Sequence, residues 1–105
     1  MKNYTNIDGL VLCVVKGKPD VYSWISEIDA LDHLLLTYDE LRSSINNLLN
    51  GNMLYYKNGR FVRSLKAKFI LIGRLLFGDV DWQIKVQHRI EKYTYDESKN
   101  AELKI

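Results

Sequence analysis

Apolar residues recur along this chain at two spacings, and the changes of spacing mark its elements. From Asn6 to about Lys16, Ile7, Leu10, Val11, Val14 and Val15 fall at i, i+3, i+4, i+7 and i+8, which is one face of a helix. Thr5 or Asn6 can cap its start, and Gly17 followed by Pro19 stops it. The valines also suit a buried strand, but the stripe favours a helix with Cys13 half-buried beside it. After Pro19, Asp20 is placed to cap a second helix, with Val21, Trp24, Ile25, Ile28 and Leu31 as its stripe. Asp29, Asp32 and His33 face away from that stripe or flank its end, and they read as a solvated helix end. A third helix opens on the capping box Thr37-Tyr-Asp-Glu40, buries Leu41, Ile45, Leu48 and Leu49, and exits through Asn50-Gly51-Asn52. Its expected outward positions are Tyr38, Asp39, Arg42, Ser43, Asn46, Asn47 and Asn50.

The period then drops to two. Met53–Lys57 and Arg60–Ser64 are β-prone runs around Asn58-Gly59, a pair of residues that accepts the positive φ of a tight hairpin turn. A two-residue turn pairs Tyr56 with Phe61 and Tyr55 with Val62, and puts Lys57 and Arg60 at the tip. Helical spacing returns over 65–77, with the stripe Leu65, Phe69, Ile72 and Leu76 interrupted by Lys66, Lys68 and Arg74, and Gly78 ends it. Apolar side chains cover more than one face there, so this helix either crosses the core or meets a second subunit. Asp79 or Asp81 caps the next element. Trp82, Val86, Ile90 and Tyr93 give a helical stripe; Val80, Trp82, Ile84 and Val86 also alternate as a strand does, and helix is favoured. The charged segment 94–105 is expected to be a disordered tail.

The composition bounds the function. At 105 residues, 47% of them hydrophobic and 27% charged, the chain suits one globular domain. A single cysteine excludes an internal disulfide and a cysteine-based zinc site. The apolar runs fall far short of the roughly 20 residues of a membrane span, and the N-terminus lacks a signal-peptide layout, so a cytoplasmic protein is expected. His33 and His88 stand far apart with no nucleophile paired to either, and the glycines are too scattered for a phosphate loop. An enzyme is therefore not expected, and no catalytic residue, metal ligand or cofactor is assigned. Charge is segregated. Residues 1–40 carry three bases and seven acids, whereas residues 41–78 carry Arg42, Lys57, Arg60, Arg63, Lys66, Lys68 and Arg74 and no acid. A basic block of this kind attracts polyanions.

Helix, helix, capped helix and tight hairpin is the order of a winged helix-turn-helix domain. The stretch from Leu34 to Phe61 resembles that family: a Thr-x-x-Glu-Leu start at Thr37–Leu41, the pair Leu48-Leu49, Met53-Leu54 opening a strand, and a wing centred on Gly59. Asn52 stands where the family most often has glycine. The resemblance implies a mainly α (α+β) fold, with a winged helix-turn-helix over 1–64 and its two-stranded wing. Residues 65–93 would be a C-terminal helical extension that dimerises, followed by the tail 94–105. It further implies a bacterial-type transcription regulator that places helix 38–50 in a major groove of duplex DNA. By position, Tyr38, Arg42, Ser43, Asn46 and Asn47 would face bases or phosphates, and Lys57, Arg60 and Arg63 would be the wing's phosphate contacts. Asp39 and Glu40 stand at the start of that helix, whose sole base is Arg42; Glu40 is engaged in the capping box, and Asp39 opposes phosphate approach. The competing reading is a winged-helix module that binds protein instead of DNA.

Overall fold

The computed structural model describes residues 1–72 and 82–98, and places in order β1 (Lys2–Asn3), α1 (Asn6–Val14), α2 (Val21–Asp32), α3 (Tyr38–Asn50), β2 (Leu54–Lys57), β3 (Arg60–Arg63), α4 (Leu65–Leu71), α5 (Trp82–Ile90) and β4 (Thr94–Tyr95). The architecture is mixed α+β, with two small antiparallel sheets, β1–β4 and β2–β3, among the described residues.

Helix α1 is the centre of the molecule. Thr5 caps it through a capping box: the Asp8 N–H donates to Thr5 Oγ1 at 3.4 Å, and the Thr5 N–H donates to Asp8 Oδ2 at 2.9 Å. Every residue from Asp8 to Val14 is buried, Cys13 included, because α2, α3 and α5 all pack around the helix. A stripe on one face, with a half-buried thiol, was too narrow an expectation. At Gly9 a β-carbon would stand 2.8 Å from the Gln87 Cα, so the missing side chain lets α5 approach α1 closely. Asp8 also accepts from Ser44 Oγ at 2.6 Å, which ties α1 to α3 inside the core.

Helices α2 and α3 begin where their caps predict. Asp20 Oδ1 accepts from the Ser23 N–H at 3.1 Å, and α2 ends on His33 in the left-handed region. Thr37 Oγ1 accepts from the Glu40 N–H, while Glu40 Oε1 accepts from the Thr37 N–H, both at 3.1 Å. Leu41, Ser44, Ile45 and Leu48 face the core. Asn50, expected outside, is buried at the end of α3. The left-handed exit falls on Asn52 (φ 59°) and not on Gly51, which is needed for space: a methyl group there would run into the Tyr4 hydroxyl.

The hairpin has the expected register, Tyr56 opposite Phe61 and Tyr55 opposite Val62, with Asn58 and Gly59 at φ 52° and 73°. A third backbone segment joins it. Gly17 and Phe61 exchange two hydrogen bonds of 2.9 and 2.7 Å, so the α1–α2 connection runs beside β3.

Beyond residue 64 several expectations change. Helix α4 is capped by Ser64 and buries Ala67 and Ile70. The helix is apolar on two faces, as expected: Ala67 and Ile70 are buried, while Leu65, Phe69 and Ile72 are 72%, 62% and 42% exposed. The remainder of the helix predicted to residue 77, its stop at Gly78 and the caps at Asp79 or Asp81 lie outside the described residues. Helix α5 forms where helix was favoured over strand, with Trp82, Val86 and Ile90 buried. It lies against both α1 and α4, and Arg89 Nη1 donates to the Ile70 carbonyl at 3.0 Å. Val86 and Ile90 share one buried cluster with Leu12 and Leu48, so α5 packs on the same core as the first three helices. The tail expectation also fails at its start. Thr94 and Tyr95 pair with Asn3 and Lys2, and Tyr95 is buried against Tyr4 with ring centroids 4.8 Å apart. A two-residue strand pairing across the length of the chain leaves no periodic signal to read.

Candidate nucleic-acid interface

Alternation along β2 and β3 decides what the wing presents. Leu54, Tyr56, Phe61 and Arg63 take the face toward the core, where Phe61 meets Trp24 edge-on at 5.6 Å and Tyr56 at 4.8 Å. Tyr55, Lys57, Arg60 and Val62 take the outer face, and all four are exposed. Of the three cations assigned to the wing, Lys57 and Arg60 therefore stand at its exposed tip. Arg63 does not. Its Nη2 donates to the carbonyls of Leu12 and Cys13 at 2.9 and 2.8 Å, which places the guanidinium over the negative end of α1. In this position it caps that helix, on the face opposite Lys57 and Arg60.

On α3, Tyr38, Arg42 and Ser43 are exposed, while Asn46 and Asn47 are half-buried. The Asn46 Oδ1 is turned inward and has no hydrogen-bond partner among the described residues. The backbone carbonyl of Asn47 accepts from the Tyr4 hydroxyl at 3.0 Å, which fixes the N-terminal segment against this helix. Ser43 and Asn47 also line an open groove of about 360 Å³ between α3 and the start of α1, where Asp8, Asp39 and Glu40 supply the charge. The five α3 residues thus share one helix but divide between an open face and an acidic flank.

Burial and the Asp8 carboxylate push the Tyr4 phenol well above its usual value, with a smaller contribution from Tyr95. Tyr95 is raised as well, by burial first and then by Asp8 and Glu97. These shifts belong to the closure of β1 and β4 on α3 and take no part in the exposed face.

The reading by sequence position missed Lys16 and Lys18. They lie in the acidic first part of the chain, but the Gly17–Phe61 bridge sets them beside β3, with the Arg60 Nη2 3.7 Å from where a Gly17 β-carbon would stand. The signal was local but incomplete: two lysines around a glycine announce a turn, not the strand it joins. Among the described residues there is no group of three or more His, Cys, Asp and Glu placed to hold a metal ion, and no helix long and apolar enough to cross a membrane. No family model, curated protein or solved structure matches the chain.

Proposed function

We propose that this chain is a winged helix-turn-helix module that binds duplex DNA as a cytoplasmic, non-enzymatic transcription regulator. Helix α3 would enter the major groove, with Tyr38, Arg42, Ser43, Asn46 and Asn47 toward bases or the adjoining backbone, and Lys57 and Arg60 would hold phosphates beside it. The observation that carries the reading is the pair Lys57 and Arg60 at an exposed hairpin tip, with no ion pair or side-chain hydrogen bond to other described residues. A tip of two unpaired cations beside a polar helix gains most from a polyanion that also offers groove edges. The test is fluorescence anisotropy with a labelled random-sequence duplex over a salt series. Three or more displaced counterions at ~0.9 each give a log–log slope of about −3 or steeper, and Lys57→Ala/Arg60→Ala makes it shallower by about 1.8. No binding at low salt overturns the proposal.

The exposed stripe Leu65, Phe69 and Ile72 favours a second reading, contact with protein through α4. For a regulator that reads two half-sites, the natural partner is a second copy of the chain.

A further inference from the structure

We infer that the outer face of the wing, widened by the Lys16–Gly17–Lys18 segment, is the main phosphate-contacting surface of this protein, and that Lys16 and Lys18 are binding residues on it. The inference rests on the DNA-binding reading above and moves the weight of that binding from α3 to the sheet.

Three backbone segments lie side by side in the order Gly17, β3, β2. Lys57 is paired directly with Arg60, and Lys18 is the residue after the one bridged to Phe61, so Lys57, Arg60 and Lys18 form a row across the sheet at its turn end. At about 4.8 Å per strand the row spans about 10 Å. One strand of a duplex carries a phosphate every ~3.4 Å of axis, so a row of this length meets two or three of them. Lys16 lies one residue to the other side of the bridge, and all four cations are exposed.

Nothing described neutralises them. Lys16, Lys18, Lys57 and Arg60 have no ion pair or side-chain hydrogen bond among the described residues, and the acid closest in sequence, Asp20, is engaged in capping α2. Like charges gathered on neighbouring strands repel, and an anionic partner relieves that repulsion as it binds. Helix α3 offers the opposite balance. Its single base, Arg42, shares the helix with Asp39 and Glu40, and the groove along its flank is acidic. The outer face also carries Tyr55 and Val62 opposite each other, an apolar pair that lies within the cationic row's reach and can rest on deoxyribose.

The experiment uses the full chain and a labelled random-sequence duplex of about 20 base pairs, long enough for several phosphate contacts. It compares the wild type, Lys16→Ala/Lys18→Ala, Lys16→Arg/Lys18→Arg and Arg42→Ala by anisotropy over a salt series. The alanine pair is expected to bind at least ten-fold more weakly at low salt and to make the log–log slope shallower by about 1.8. The arginine pair should restore both, and Arg42→Ala should change the slope by about 0.9 or less. Unchanged far-ultraviolet dichroism and thermal midpoint establish that the alanine pair folds. If the wild type binds and the alanine pair keeps its slope, this inference is overturned while the DNA-binding reading stands. If the wild type binds no duplex at low salt, the DNA-binding reading falls and takes this surface with it.

Discussion

Arg60 and Arg63 are three residues apart on one strand, so the pleat sends them to opposite faces, and their effects on the protein should separate in the same way. Arg63 donates to two carbonyls at the end of α1, both belonging to buried residues. Its loss strands those acceptors and removes a favourable charge from the helix terminus. Arg63→Ala is expected to cost about 1.5–3 kcal/mol in urea denaturation, the range for hydrogen bonds from a charged donor. Arg60→Ala should stay within about 0.5 kcal/mol of wild type, as exposed substitutions do, and show its effect on duplex affinity. An unchanged midpoint for Arg63→Ala would remove the capping role. The same scale carries a pH effect. The Tyr4 pKa is raised in the folded state, so the native protein holds that proton more tightly than the unfolded chain does. The stabilisation is complete below the unfolded value near 10 and is lost as the pH rises toward the folded value. Tyr95 is shifted in the same direction. Denaturation midpoints from pH 8 to 11 should therefore fall steeply at the alkaline end. Tyr4→Phe should fall less steeply, after a loss of about 0.5–1.5 kcal/mol at neutral pH for the bond to the Asn47 carbonyl. Parallel pH curves for the two proteins would contradict the assignment.

Helices are recognisable in this chain where their signals are local. Thr37 with Glu40, Asp20 before Val21, and Asn58-Gly59 each encode a start or a turn within four residues, and each stands where the pattern puts it. The features that were not legible depend on distant partners. Nothing near Gly17 announces Phe61, nothing near Lys2 announces Tyr95, and nothing near Ala67 and Ile70 announces that they, and not Leu65 or Phe69, are the buried side of α4. The candidate site divides on the same line: Lys57 and Arg60 can be read from the turn, Lys16 and Lys18 only from the bridge, and Arg63 from a face rule that composition conceals. Gly9 belongs with the distant cases, because its reason is the backbone of α5. Alanine at Gly9 would gain about 0.8–1 kcal/mol of helix propensity, while forcing two packed helices apart costs about 1–3 kcal/mol. The two nearly cancel at the low end, so Gly9→Val is the more decisive change. It adds bulk within 3.3 Å of the Gln87 and Ile90 side chains and brings less helix propensity. It should lower stability by about 2 kcal/mol or more. A neutral Gly9→Val would mean that α5 is not held against α1.

At the scale of the whole molecule, the apolar residues left outside the core decide whether one copy acts alone. Leu65, Phe69 and Ile72 fall at i, i+4 and i+7, a continuous stripe along α4, with Lys66 and Lys68 between them. Lys66 is drawn aside over the Tyr93 ring at 5.8 Å, which keeps its charge off the stripe. Two copies related by a two-fold axis can lay these stripes together and keep the lysines at the rim. Six apolar side chains then leave water, each worth about 1.5–3 kcal/mol when fully buried. Association itself costs about 4–15 kcal/mol. The two ranges overlap and the side chains are already partly covered, so such a dimer would be weak and reversible, with a dissociation constant on the order of 10 µM or above. Sedimentation velocity over a concentration series spanning that value should show a single boundary that moves from monomer to dimer. Leu65→Ala/Phe69→Ala should shift the transition at least ten-fold upward in concentration, with the thermal midpoint of the monomer unchanged because neither side chain is buried within it. A wild type that sediments as a monomer at every concentration overturns the dimer, and duplex binding would then be that of a single wing and helix on one half-site.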